Sequence, residues 1–358
     1  MKNTILKFSS LLAISSGLWF ISAKSGMSVN QAMSVSIFSS SILGTLFFWE
    51  FRLSFAFVGT AILLITKTID IDHVLEFSSL EVILFLVGMM VIMGRLKDSG
   101  VFAWIVSLIL RIPRLTARRF VFIVALLSGF FAGAVDEVTS IIFMVAAVLE
   151  ICDYFEVNPA PFIIISILST NIGSASTVLG NPIGILIASK SGLTFEDFII
   201  KALPLSVLCL LITIFILLFW YRKPVADLDK RIKEFGANEI LTKLISVPME
   251  RRLKVNIAIF IVTLVFISLH HRIEVALGLS ANTVLLAVPL ISSGLIMVWK
   301  RKKARKYIEK DVEWWTLTFF LLLFVQAGTL KYTGSTVFIA DKLIKVTGEN
   351  INLLTSVT

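Results

Sequence analysis

The stretch Arg119–Asp153 constrains the fold most, because between Phe120 and Leu149 its only charged residues are the adjacent pair Asp136 and Glu137. As one straight helix it would run ~50 Å at 1.5 Å per residue, too long for a ~30 Å hydrocarbon core without extreme tilt. It leaves a basic segment (Arg111, Arg114, Arg118, Arg119) and ends at Asp153, Glu156 and Asn158 with no loop between. A re-entrant hairpin over 119–152 reconciles these facts, its arms meeting at Gly129-Phe130-Phe131-Ala132-Gly133-Ala134-Val135-Asp136-Glu137-Val138-Thr139-Ser140. There the glycines are expected to permit the bend, and Asp136 to cap the second arm. Irregular backbone at membrane depth persists only against protein or a water-filled cavity. A charge at that depth costs roughly 2.5–3.5 kcal/mol on insertion scales, so two adjacent acids read as a site; the competing reading is a helix whose acids pair with a cation elsewhere.

The remainder is equally apolar: 57% of the 358 residues are hydrophobic and 16% charged, which excludes a soluble domain of any size. Runs of about membrane-crossing length recur at 5–22, 29–49, 53–66, 80–96, 159–188, 199–220, 255–269, 282–299 and 313–330. The first is read as a transmembrane helix in preference to a signal peptide, since the topology then closes. Arg111–Arg119, the nine Lys or Arg of Arg222–Lys254 and the seven of Lys300–Lys310 mark cytoplasmic loops, whereas Asp70–Glu76 and Ser191–Asp197 lie outside. The N-terminus is then cytoplasmic, and the net charge of +9 needs no nucleic-acid partner. Pro224–Pro248 alternates Leu228, Ile232, Phe235, Leu241 and Leu244 with charges, as an amphipathic helix at the membrane interface does. Cys152 and Cys209 form no disulfide framework or thiolate metal site.

A second unusual segment is Thr170-Asn171-Ile172-Gly173-Ser174-Ala175-Ser176-Thr177-Val178-Leu179-Gly180-Asn181-Pro182, flanked by apolar Phe162–Leu168 and Ile183–Ala188. Hydroxyls, carboxamides, two glycines and a proline at membrane depth predict a helix broken within 159–188. Unwound carbonyls with Asn, Ser and Thr oxygens can replace a cation's hydration shell, and the following half-helix offers free N–H groups to an anion. The alternative is a small-residue packing seam.

Gly94-Arg95-Leu96-Lys97-Asp98-Ser99-Gly100 recurs as Gly328-Thr329-Leu330-Lys331-Tyr332-Thr333-Gly334, displaced by 234 residues. One copy's span starts from the acidic outer loop and the other's from the basic inner loop, so they run oppositely, as inverted repeats of secondary transporters do. The expected organisation is 1–66, N-terminal transmembrane helices; 67–221, first inverted repeat; 222–254, cytoplasmic linker; 255–299, further transmembrane helices; and 300–358, the start of the second repeat. The fold class expected is an all-α polytopic membrane protein, an inverted-repeat secondary transporter with a re-entrant hairpin and a discontinuous helix.

Ala134-Val135-Asp136-Glu137-Val138-Thr139, Thr170–Pro182 and the Gly94–Gly100 turn together resemble the ArsB/NhaD-like ion transporter superfamily, which includes arsenite permeases, sodium/proton antiporters, citrate and dicarboxylate symporters and the melanocyte P protein. The resemblance covers most of the chain. The family pattern has Asp-Asn and a hydroxyl residue at the hairpin tip and Asn-Ile-Gly-Gly-x-x-Thr-x-x-Gly-Asp/Asn-Pro in the broken helix; here Glu137 replaces Asn and Ser174 the second Gly. It implies an elevator-like or rocking carrier whose half-site lies between hairpin tip and broken helix. The 234-residue displacement carries Thr358 onto Val124, so a second hairpin and second broken helix are expected to be missing, through C-terminal truncation as the simpler reading or with partner chains completing the site as the alternative.

The site expected for substrate and ion comprises Asp136, Glu137, Thr139, Asn171, Gly173, Ser174, Ser176, Thr177, Gly180, Asn181 and Pro182, with Na⁺ a candidate ligand of Asp136, Asn171 and Asn181. Two adjacent carboxyls away from water titrate as a coupled pair, which makes proton exchange an expectation. Gln326 reads equally as pathway lining or as a helix-to-helix hydrogen bond, Arg52 with Glu50 as an interfacial pair, and His73, His270 and His271 as loop residues at span ends. The function expected is an H⁺- or Na⁺-coupled secondary transporter of a small anion or oxyanion of the citrate, dicarboxylate or arsenite class, with a Na⁺/H⁺ antiporter as the alternative. No cofactor beyond the coupling ion is expected. The partners expected are a small anionic or ionic substrate and the lipid bilayer of a plasma membrane, with a homodimer as the candidate assembly. The absence of HExxH, GxSxG and Walker A sequences argues against an enzyme or a self-powered pump.

Overall fold

The computed structural model describes residues 2–110, 116–235 and 250–347, and every regular element among them is helical. In chain order these are α1 (Lys2–Lys24), α2 (Val29–Phe47), a 3₁₀ turn (Trp49–Phe51), α3 (Arg52–Ile65), α4 (Ile71–Phe77), α5 (Leu80–Asp98), α6 (Val101–Leu110), α7 (Ala117–Ala134), α8 (Glu137–Tyr154), α9 (Ala160–Ser174) and α10 (Pro182–Ser191). There follow α11 (Phe195–Trp220), α12 (Arg222–Phe235), α13 (Arg251–Ser268), α14 (His270–Leu277), α15 (Thr283–Trp299), α16 (Arg301–Lys306), a π-helical turn (Tyr307–Asp311), α17 (Trp314–Tyr332) and α18 (Ser335–Thr347). The chain forms two compact units, one of Met1–Ile83 with Glu313–Thr358, the other of Leu84–Val312.

Helix starts follow local chemistry. Ser28 with Gln31 and Thr194 with Asp197 form capping boxes at α2 and α11, and Asn181-Pro182 opens α10 with an Asn cap and a proline in the first turn. Four helices among the described residues are long and apolar enough to cross a membrane, α1 from Leu6, α7, α11 and α17, or six if each bent pair, α4–α5 and α13–α14, counts as one. That is fewer than the apolar runs in the sequence, because α3, α9 and α15 have only 14, 15 and 17 residues and serines dilute α2. The chain is a multi-pass, all-α membrane protein.

In the first unit, α17 packs against α2, α3 and α4. Gln326, fully buried, donates its amide to the Ala56 carbonyl at 3.0 Å and the Thr60 hydroxyl at 3.2 Å, so of its two readings the helix-to-helix link is the observed one. The Arg52–Glu50 pair does not form among the described residues: Arg52 begins α3, donates to the Thr316 hydroxyl at 3.0 Å and lies 4.3 Å from the Trp49 ring.

In the second unit, α7, α8, α9, α11 and α12 share one apolar core, including Phe120 and Val124 early in α7, Val148 and Ile151 late in α8, Phe162, Ile214 and Leu228. The start of α7 and the end of α8 can meet in one cluster only if the arms fold back, so 117–154 is a helical hairpin. Lipid tails are as apolar as these side chains, so close packing rather than exclusion from water holds the arms together.

Two expectations change here. The apolar side of α12 does not lie at a lipid interface, since Val225, Leu228 and Ile232 are buried in the hairpin core. Asp229 on the same helix accepts the Ala117 N–H at 3.0 Å and pairs with Lys233 at 2.8 Å, contacts that hold its carboxyl below the usual range. Leu241 and Leu244 lie outside the described residues. The three histidines are likewise not in loops: His73 lies in α4 and His271 in α14, and His270 opens α14, only 4% exposed, with Nδ1 2.8 Å from the Ile267 carbonyl.

The repeat reaches further than seven residues. Displaced by 234, the 3₁₀ turn and α3 (49–65) fall on α15 (283–299), the end of α4 at Phe77 on the end of the π-helical turn at Asp311, α5 on α17, and the start of α6 on that of α18. Gly100 and Gly334 take the same left-handed turn at φ +80° and +75°, donating to the carbonyls of Lys97 and Lys331. At this displacement the order of elements coincides from 49 and 283 onward.

Candidate functional site

The hairpin tip and the helix break meet. Helix α7 ends at Ala134; Val135 and Asp136 then turn the chain, and Asp136, in extended conformation, caps α8 by accepting the Thr139 N–H at 2.8 Å. Helix α9 ends at Ser174, and residues 175–181 are non-helical before Pro182 opens α10. The two breaks are bonded to each other: the Glu137 N–H donates to the Gly180 carbonyl at 2.8 Å, the Ser174 hydroxyl to Glu137 Oε2 at 3.2 Å, and the Thr177 hydroxyl to the Gly133 carbonyl.

Glycine makes this approach possible, though not by permitting the bend. Gly129 and Gly133 stay inside α7, where a Cβ on the facing Gly173 would collide with the Gly129 backbone and one on Gly133 with the Ser176 hydroxyl. A Cβ on Gly180 would collide with the Ser174 carbonyl. The segment is therefore a close-packing seam and a broken helix at once, so the two readings of its composition are compatible.

Four helix ends converge. The starts of α8 and α10 bring partial positive charge, and the ends of α7 and α9 bring carbonyls. Asp136 is 3% exposed and Glu137 half-buried. Asn181 spans the gap, its Oδ1 accepting the Gly184 N–H at 2.7 Å and its Nδ2 donating to the Ser174 carbonyl and hydroxyl, both at 3.3 Å. Ser176 donates to the Gly173 carbonyl at 2.6 Å, and the Thr177 oxygen also accepts the Leu179 N–H at 3.2 Å.

Ten of the expected residues thus lie at the tip, the break or the seam joining them. Asn171 does not join them through its side chain, which is exposed and makes no hydrogen bond among the described residues; its carbonyl accepts from the Ser174 hydroxyl at 2.9 Å. Sequence reasoning missed Gly129 and Gly133 as the surface on which the break rests and Gly184 as the donor to Asn181. The spacing Gly129–Gly133, a small-xxx-small pair, was the available signal. No group of three or more His, Cys, Asp or Glu suited to a metal occurs among the described residues.

The pattern of the citrate transporter family matches residues 44–358. The chain belongs to that family. An uncharacterised transporter of Mycobacterium tuberculosis is 30% identical over 274 residues, 76% of this chain. A second, from Synechocystis, is 20% identical over 299 residues, 83% of this chain and 64% of the relative. The human P protein is 26% identical over 163 residues, 43% of this chain and 19% of that protein. The chain spans 60% of the length of the mycobacterial relative. Membership agrees with the anion-permease resemblance that Asp136-Glu137 and Thr170–Pro182 carry.

Proposed function

We propose that this chain is a large part of an ion-coupled secondary transporter of a small anion, of the citrate, dicarboxylate or oxyanion class, working at the junction of hairpin tip and broken helix. The observation that carries this reading is the convergence of two helix starts and two helix ends around Asp136 and Glu137, stitched by Glu137 to Gly180 and Ser174 to Glu137. Helix starts offer N–H groups to an anion, while the carboxylates with the Ser174, Thr177 and Asn181 oxygens suit H⁺ or Na⁺. Family membership supports the citrate-type substrate class.

Those oxygens already make internal hydrogen bonds, so a bound ion must compete with them; the contacts on Ser174, to Glu137 at 3.2 Å and from Asn181 Nδ2 at 3.3 Å, are long, whereas the Asn181 oxygen holds the Gly184 N–H at 2.7 Å. Such competition couples occupancy to the fit between tip and break. A Na⁺/H⁺ antiporter is the second reading, favoured by one feature, the extra carboxyl of Glu137 beside Asp136.

The test is the full-length protein in proteoliposomes with an internal pH dye, challenged in turn with Na⁺, citrate, succinate and arsenite. A pH change that requires an anion is the expected result and names its class; one elicited by Na⁺ alone selects the antiporter. Asp136→Asn abolishes coupled flux on this reading, and flux at the wild-type level and pH dependence would remove Asp136 from the mechanism.

A further inference from the structure

Within the second unit, cations at four helix ends act on one place: Arg95 in the last turn of α5 and Lys300 just past α15 share the Trp299 ring, and the charges of Arg252 in the first turn of α13 and Lys303 in α16 reach Lys300. Loss of hydration, and after it the positive charges of Arg95, Arg252 and Lys303, make Lys300 hold its proton less tightly than an ordinary lysine. Arg95 is only 7% exposed, its Nε has no hydrogen-bond partner, and its guanidinium lies 5.5 Å from the Trp299 ring, over which the Lys300 ammonium sits at 4.6 Å. Among the described residues, no carboxylate forms an ion pair with Arg95, Arg252 or Lys300. Asp98, one turn beyond Arg95, is engaged by Lys303 at 2.8 Å, Lys306 at 2.6 Å and the Tyr307 hydroxyl at 3.3 Å. One turn along α13 from Arg252, Asn256 is 2% exposed with neither amide atom bonded.

A buried guanidinium beside like charges is unfavourable unless an anion joins it. We infer that this cluster binds a phosphate-bearing anion, with Arg95 as the bidentate fork and Arg252 and Lys300 as flanking charges. Phosphate suits the set better than a single carboxylate does, because three oxygens carrying more than one charge can meet a planar fork and two further cations together. The site lies on the face that loop cations assign to the cytoplasm, where basic recesses between membrane helices take phospholipid headgroups. A soluble phosphate offers the same chemistry.

The test has two arms on the purified full-length protein. In phosphatidylcholine nanodiscs, inorganic phosphate is titrated calorimetrically; in discs doped with phosphatidylglycerol, retained lipid is counted by mass spectrometry. Wild type is expected to bind at least one probe about tenfold more strongly than R95Q or K300Q, the loss of one charge-assisted contact. Lys201→Gln, on α11 and paired with Asp197, is expected to change nothing. Binding in the first arm alone assigns the site to a soluble phosphate, and binding in the second alone to a lipid headgroup. The inference is overturned if wild type binds neither probe, or if R95Q and K300Q bind both as wild type does. Should R95Q fail to fold, the more exposed Lys300 and Arg252 carry the same expectation as K300Q and R252Q.

Discussion

The two copies of the repeat agree in backbone and differ in what fills their joints. Gly94 lies against the Asp311 side chain, and Gly328 against the Phe77 ring; each contact is the other with the copies exchanged. The same holds one turn later, where Asp98 bonds to Tyr307 at 3.3 Å while its counterpart Tyr332 stacks on His73 at 4.2 Å between ring centroids. The first joint is ionic, with Lys303 and Lys306 on Asp98; the second is aromatic, with Phe77 also 6.2 Å from Tyr332. Of the four positions identical in the two heptads, the glycine pairs Gly94/Gly328 and Gly100/Gly334 are those where the backbone needs a missing Cβ or a left-handed turn. Side chains around them are free to follow the local surroundings, polycationic in one copy and, with Asp70, Asp72 and Glu76 beside His73, acidic in the other.

The first copy alone continues into the glycine seam within the described residues, and there the largest effect is expected. Gly173→Ala sets a Cβ against the Gly129 backbone, which cannot swing aside as a side chain can, so a loss of about 3 kcal/mol is expected, read as a lower unfolding temperature in detergent. Gly328→Ala comes next at about 2 kcal/mol, because the Phe77 ring must move as a block. Gly94→Ala meets the Asp311 Cβ as well as a carboxyl oxygen, each 2.8 Å from the new Cβ; the oxygen can rotate aside and the Cβ cannot, so a cost of about 1.5 kcal/mol, below that of Gly328→Ala, is expected. Equal losses for the two would remove the contrast between the joints. Gly100→Ala and Gly334→Ala should match each other at about 1 kcal/mol, since both lie at positive φ with no Cβ contact closer than 3.5 Å.

This contrast also explains what was legible in the sequence. Apolar length located α5 and α17 to within two residues, 80–96 and 313–330 against Leu80–Asp98 and Trp314–Tyr332, and the glycine-bounded heptads revealed the repeat. The longer correspondence was hidden because Phe77 and Asp311 share a position and no chemistry. At the site, Asp136, Asn181 and Pro182 were readable because capping a helix and opening one are local acts. Gly129 and Gly133 were misread as a bend because their role depends on α9, which a local pattern does not include. The α12 stripe was misassigned for a similar reason: amphipathicity shows that a face is covered, not whether lipid or the hairpin covers it.

The smallest effect tests the ionic joint by pH. Burial works against the Asp98 carboxylate, but the hydrogen bonds and charges of Lys303 and Lys306 outweigh it and hold the pKa below the usual carboxylate range. A carboxyl whose folded pKa is lowered contributes stability that is complete above its unfolded value, about 4, and is lost as the pH falls through the folded value. Both lysines are partly exposed, so the contribution is about 1 kcal/mol at most. Hydrogen exchange between pH 6 and pH 3, corrected for intrinsic rates, should therefore show the amides of Ser99, Gly100 and Trp104 losing protection while those of Thr333, Gly334 and Phe338 hold theirs. Asp98→Asn should abolish the difference by lowering protection in the first copy at every pH. If both joints loosen together in wild type, the ionic contacts are not what closes the first copy, and the backbone turn that both copies share is sufficient.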